Sequence, residues 1–219
     1  MIAKNLFIDS IIPLKTSDTT KTAQEYMDEY KVSHLPVVNN IDYLGLVSEV
    51  DILSTSPDTY IGDIKLSLDK PFVYDYQHLF DVVKVISDYK LSLLPVTDKK
   101  NNYLGVIKNN NLIQNFSELL SVKNPGAVII LQLNINSYSL TEIASIVESN
   151  DAKVLNVFTK TFPDSTELEV TVKINKTDVY PVIQTFNRYN YIVKAYYSPE
   201  NYKNGLFDRY DEFMNYLNI

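Results

Sequence analysis

One stretch is written twice in this chain, and the duplication constrains the fold more than any other feature. Lys31-Val32-Ser33-His34-Leu35-Pro36-Val37 matches Lys90-Leu91-Ser92-Leu93-Leu94-Pro95-Val96, roughly sixty residues later. Tyr43-Leu44-Gly45-Leu46-Val47 likewise matches Tyr103-Leu104-Gly105-Val106-Ile107. The first copy reads as a buried strand, a turn at Asn39-Asn40-Ile41-Asp42, a second strand, and a helix opening at Ser48 and running to about Leu53. Ahead of it, Ile8 to Leu14 is apolar with Pro13 near its end, which suits a short edge strand. Thr16 to Thr19 then supply capping residue types. Ala23, Tyr26, Met27 and Tyr30 follow at helical spacing, with Glu25, Asp28 and Glu29 on the solvated side. The second copy repeats the plan with a strand at Phe72-Val73-Tyr74, a helix face of Leu79, Val82, Val83 and Ile86, and a closing helix carrying Leu112, Phe116 and Leu119. Each copy is about fifty residues of strand–helix–strand–strand–helix, and a unit that small is marginal alone, so the two are expected to pack together. The first spans about residues 8–55 and the second about 68–121 of a module covering 1–121.

After Asn124-Pro125-Gly126 the periodicity changes. Val128 to Leu133 is an apolar strand, and Leu140, Ile143, Ala144 and Val147 are helix-periodic. Strands follow at Lys153 to Lys160 and around Leu168, Val170, Val172 and Ile174. A second helix face uses Val179, Val182, Ile183 and Phe186, and Tyr191 to Tyr197 is the last strand. The order βαββαβ over residues 127–198 is the ferredoxin-like arrangement. Residues 199–219 place Leu206, Tyr210, Phe213 and Leu217 on one face of a final amphipathic helix, which is expected to be docked. The predicted class is therefore α+β: two tandem repeats, a ferredoxin-like domain and a C-terminal helix.

Composition narrows the chemistry. A formal charge of −7 lacks the basic footprint of a nucleic-acid binder. With no cysteine there is no disulfide, thiol nucleophile or cysteine metal site, and two distant histidines make a poor metal centre, so no catalytic and no metal residues are expected. Five glycines in 219 residues leave no Gly-rich phosphate loop, and no nucleophile motif stands out. Met1 to Leu14 is interrupted by Lys4, Asp9, Ser10 and Pro13, so neither a signal peptide nor a membrane span is read there. The expectation is a cytoplasmic protein that is not an enzyme, requires no cofactor, and has neither nucleic acid nor membrane as a partner.

The succession Asp18-Thr19…Ala23, Ser33-His34-Leu35-Pro36-Val37-Val38 and Gly45-Leu46-Val47-Ser48-Glu49-Val50-Asp51 closely resembles a cystathionine-beta-synthase (CBS) domain. The two copies together look like a CBS pair, or Bateman module. The βαββαβ segment resembles an ACT domain by topology. The loop that carries a D-x-P-G-like signature in that family is here Asn136-Ser137-Tyr138-Ser139, without the glycine that close backbone approach to an amino-acid ligand favours. The order CBS, CBS, ACT is similar to that of bacterial acetoin-utilisation regulatory proteins.

The resemblance implies adenine-nucleotide binding in the cleft of the pair, with AMP, ADP, ATP or S-adenosylmethionine as the ligand. An S/T-x-x-D at the start of the last helix contacts phosphate and ribose in that family, and here it is Ser48 and Asp51. By the same resemblance Ile12, Leu35 and Pro36 line the adenine pocket. The chemistry fits, since a carboxylate accepts from two vicinal hydroxyls and a hydroxyl at a helix start suits phosphate. A plain capping role for Ser48 and Asp51 stands beside it. The second copy substitutes Lys108 and Asn111, a possible second half-site. His34 reads as a structural histidine rather than a ligand contact, and His78 carries no assigned role. Two functions follow: a ligand sensor acting on an effector protein of unknown identity, or a ligand-free dimerisation module. A homodimer is expected in both.

Overall fold

The computed structural model describes residues 1–199; the predicted tail helix with Leu206, Tyr210, Phe213 and Leu217 lies outside them. The chain divides into two units, Met1–Phe116 and a second beginning at Ser117.

In the first unit, α1 (Thr20–Tyr30) starts at Thr19, whose hydroxyl accepts from Thr22 N–H, and ends where Lys31 turns left-handed with φ 54°. Strands β1 (His34–Asn39) and β2 (Asp42–Ser48) pair antiparallel, with His34 opposite Ser48 and Leu35 opposite Val47. The turn between them is tighter than the sequence suggests, because Asn40 adopts φ 55° and leaves only Asn40 and Ile41 outside the strands. The short helix α2 (Glu49–Leu53) follows directly. The second copy repeats the plan as β3 (Val73–Tyr74), α3 (Leu79–Tyr89), β4 (Leu93–Thr97), β5 (Tyr103–Lys108) and α4 (Asn109–Leu119). β3 runs parallel to β4, and β4 antiparallel to β5. Leu35, Leu46, Met27, Val82, Leu93, Leu94 and Ile107 belong to one buried cluster, so the copies share a core, as their size requires.

The lead-in segment departs from the expected edge strand. Ile8 bridges Val106 of the second copy, while Leu14 bridges Val37 of the first. The chain changes partner between these two residues, and Pro13 has no N–H to donate to a ladder, so only single bridges form. The linker does the reverse: Leu66 lies on the first copy at Gly45, after which Val73 joins β4 of the second. Each copy is thus crossed by the segment that leads into the other. The repeated glycines answer to this crossing. A Cβ on Gly105 would stand 2.5 Å from the Ile8 carbonyl oxygen, and one on Gly45 would stand 2.6 Å from Leu66 Cδ1.

In the second unit, β6 (Val128–Asn134), α5 (Leu140–Glu148), β7 (Val154–Thr161), β8 (Glu167–Ile174), α6 (Tyr180–Arg188) and β9 (Ile192–Tyr197) follow in the expected order. The strands align β7-β8-β6-β9, all neighbours antiparallel, which is the ferredoxin-like sheet. Leu168, Val170, Val172 and Ile174 are buried with Ile129, Leu131, Ile143, Val147, Val182 and Phe186, the alternation of β8 pointing one face at the helices. Among the described residues, no helix is long and apolar enough to cross a membrane.

Candidate functional site

Ser48 ends β2 and caps α2, and its side chain meets that of Asp51 one turn on. Ser48 Oγ accepts from Asp51 N–H at 3.2 Å and donates to Asp51 Oδ2 at 2.8 Å; Oδ2 also takes Ser48 N–H at 2.9 Å. This reciprocal capping box satisfies two helix-end donors at once. The other oxygen, Oδ1, accepts Ser67 N–H from the linker at 3.2 Å. Asp51 is 6% and Ser48 7% exposed. A carboxylate offers about four lone-pair directions, so with these three bonds Asp51 keeps one free, on Oδ1. Ser48 has spent its single hydroxyl proton on Asp51, and Glu49 N–H goes to the Ser33 carbonyl. In this arrangement Ser48 has no donor to offer a phosphate.

Across the strand pair from Ser48 lies His34, at the seam between the copies. Its Nδ1 accepts Ser92 N–H at 3.3 Å and lies 3.1 Å from Ser92 Oγ and 3.2 Å from Ser33 Oγ. Ser92 Oγ in turn accepts Ser33 N–H at 3.0 Å. A backbone N–H can only donate, so Nδ1 is unprotonated and the ring proton resides on Nε2. Burial holds this imidazole below its ordinary pKa, opposed by the nearby carboxylates of Asp51 and Glu49. Ser33 and Ser92 form this seam together, and their matched place in the repeat was the signal for it.

The other predicted residues fall into different settings. Leu35 is fully buried in the shared core, Pro36 is buried, and Ile12 is 55% exposed on the lead-in segment, outside the hydrogen-bonded set. Lys108 reaches from the second copy to the first: its Nζ donates to the carbonyl of Tyr30, the last residue of α1, at 2.8 Å. A cation there suits the helix C-terminus and leaves further N–H groups for an anion. Asn111 is half-buried on α4, its carbonyl accepting from the Asn115 side chain. His78 acquires a role that sequence reasoning did not give it, as the N-cap of α3, its Nδ1 accepting Phe80 N–H.

The second unit holds a cleft of about 290 Å³ at the end of β6 and the start of α5. Ser137 of the glycine-free loop lines it, with Gln132, Glu142, Tyr189 and Tyr191. Tyr191 donates its hydroxyl to Glu142 Oε2 at 2.6 Å; burial and this bond push the phenol above its ordinary pKa. No lysine or arginine is among the lining residues, so no cationic side chain in the lining pairs with the carboxylate of an amino acid.

Comparison with known proteins bears on the tandem repeat. A family model described as CBS domain matches residues 3–58 and again 61–118. A curated relative, an uncharacterized protein of Methanocaldococcus jannaschii, is 25% identical over 120 residues, 54% of this chain and 45% of the relative. The chain therefore spans less than half the length of that relative. Among solved structures, a CBS domain pair/ACT domain protein from Thermotoga maritima is similar with a TM-score of 0.50 at 20% identity, covering 55% of this chain and 99% of that one. A structure from Vibrio cholerae assigned provisionally to acetoin utilization gives a TM-score of 0.49 at 20% identity, covering 56% and 95%. The family matches take in more than half of the sequence and coincide with the two copies that share one core: the chain belongs to the CBS-domain family.

Proposed function

We propose that this is a non-enzymatic regulatory protein in which the CBS pair senses an adenine nucleotide or related adenosyl ligand (AMP, ADP, ATP or S-adenosylmethionine) and reports to an effector protein. CBS pairs commonly serve as regulatory modules that bind adenosyl ligands. The observation that carries the reading here is Asp51. It is a buried carboxylate beside the seam between repeats, with a free lone pair on Oδ1 and only a linker N–H on that oxygen. A ribose presents two vicinal hydroxyl donors, and one anionic acceptor at a buried site suits them. Lys108, anchored on the first copy from the second, supplies a positive charge for phosphate that Ser48 does not.

Titration calorimetry of the four ligands into wild type, Asp51→Ala and Asn111→Ala tests this. Loss of charged hydrogen bonds to a ribose costs about 1.5–3 kcal/mol each, so Asp51→Ala is expected to weaken binding roughly 10- to 150-fold, and Asn111→Ala far less. Absence of binding to the wild type below millimolar concentration sinks the sensor reading. A ligand-free assembly module is the second reading, and a specific observation favours it: the capping box satisfies Ser48 and most of Asp51 with no ligand. Native mass spectrometry separates the two, because a co-purifying nucleotide belongs to the first and a bare stable dimer to the second.

A further inference from the structure

The linker is fastened by hydrogen bonds at its ends and chiefly by apolar side chains in its middle. At one end Ile61 N–H goes to the Asp18 carbonyl at 2.8 Å and Gly62 N–H to that of Thr16 at 2.9 Å. At the other, Tyr43 donates its hydroxyl to the Pro71 carbonyl at 2.8 Å, and Lys70 Nζ sits 5.4 Å from the centre of the Tyr43 ring. Between Ile64 and Leu68, the hydrogen bond that ties the main chain to the first repeat, among the described residues, is Ser67 N–H to Asp51 Oδ1. Leu66 adds its side chain over Gly45, and Ile64, Leu66 and Leu68 lie half-buried against the shared core. The lead-in segment that crosses the second repeat is held differently. There Ile8 and Val106 exchange two backbone hydrogen bonds, at 2.8 and 3.0 Å, and no side-chain carboxylate is involved.

We propose that residues 64–68 are a strap that closes the Asp51 site and that the incoming ligand releases. The inference rests on the reading of Asp51 as the ribose acceptor. Oδ2 is saturated by Ser48 and Oδ1 has one lone pair free beside Ser67 N–H, so of two vicinal hydroxyls one fits and the other must take the place of Ser67. Ribose and strap therefore compete for one oxygen, and each supplies the same kind of bond, a neutral donor to an anion. Exchange of one for the other is close to balanced, and the packing of Ile64, Leu66 and Leu68 on the core, with Leu66 over Gly45, decides how readily the strap leaves. Beyond Leu68 the same segment runs through Lys70 and Pro71 into β3, so its release at the first repeat is felt at the first strand of the second. Occupancy of one site thereby becomes a change in how the two repeats are joined.

The test uses the full chain. Hydrogen exchange is followed in peptides covering 61–71 with and without saturating AMP, ADP or ATP, and the same nucleotides are titrated into wild type, Leu66→Ala, Ser67→Pro, Gly45→Ala and Asp51→Ala. Leu66→Ala loosens the strap, Ser67→Pro deletes its N–H, and Gly45→Ala wedges a methyl beneath Leu66. Expected are faster exchange across 64–68 when nucleotide is bound, and affinity about tenfold higher in the strap variants, the equivalent of one modest contact. Exchange on the wild type needs no mutant, so it decides even where a variant folds poorly. Binding that is lost in Asp51→Ala but unchanged or weaker in the strap variants, with slower exchange over 64–68, overturns the strap and leaves the nucleotide reading standing. Binding in none of the proteins removes both.

Discussion

His34 makes the seam between the repeats sensitive to acid. Its Nδ1 receives Ser92 N–H, so a proton placed there would confront a donor with a donor. The folded pKa lies below the ordinary 6.5 because burial disfavours the charged ring. A depressed histidine pKa means that the unfolded chain takes up the proton first as pH falls. Stability from the neutral ring is therefore complete above pH 6.5 and is lost progressively on acidification from that point towards the folded value. The expected result is a melting temperature that falls more steeply between pH 7 and pH 5 in wild type than in His34→Gln; parallel curves would show that the seam does not titrate. Asp51→Ala, measured without ligand, is expected to lose about 1 kcal/mol as the third-residue partner of the capping box. The pairing of Ser48 with Asp51 was legible from their spacing. That Oδ1 is met by Ser67 was not, because the partner lies sixteen positions away in a linker outside the repeated motifs.

Elements with strong periodicity were legible nearly to their ends. α1 begins after the Thr19 cap, and β8 shows the predicted alternation, because local sterics and one buried face suffice to specify both. Residues 8–14 were misread as a strand, since what they pair with is decided by the other repeat rather than by their own residues. Gly45 and Gly105 hold matching places but differ in what crosses them, and this separates their substitutions. A methyl at 105 meets the Ile8 carbonyl, which is backbone, on a residue with φ +153°; a methyl at 45 meets only the tip of Leu66. Gly105→Ala is expected to destabilise by about 1–3 kcal/mol and Gly45→Ala by distinctly less, as read from urea denaturation midpoints. Equal losses would mean that the crossing segments are equally unyielding. Phe186, fully buried in the second unit, should cost about 3–5 kcal/mol on replacement by alanine, by the same measurement.

Two repeats of one plan share a single core in the first unit, while the ferredoxin-like unit builds a core of its own. A homodimer remains the expected assembly; sedimentation at micromolar concentration giving one species near 25.1 kDa would exclude it. Saturation with a nucleotide at about 100 times its dissociation constant should stabilise the folded chain by roughly 2.7 kcal/mol, visible as a melting shift. The crossed lead-in segments also dictate an order of events during synthesis. Ile8 waits for Val106, roughly a hundred residues downstream, before its bridge can close. A growing chain that has exposed only the first repeat still lacks the linker over Gly45 and has nowhere to dock its own beginning. Local helices and the first hairpin can form early, but the Ile8 bridge and the shared core are completed only once the second repeat has left the ribosome, so the pair matures as one late cooperative step rather than as two successive ones.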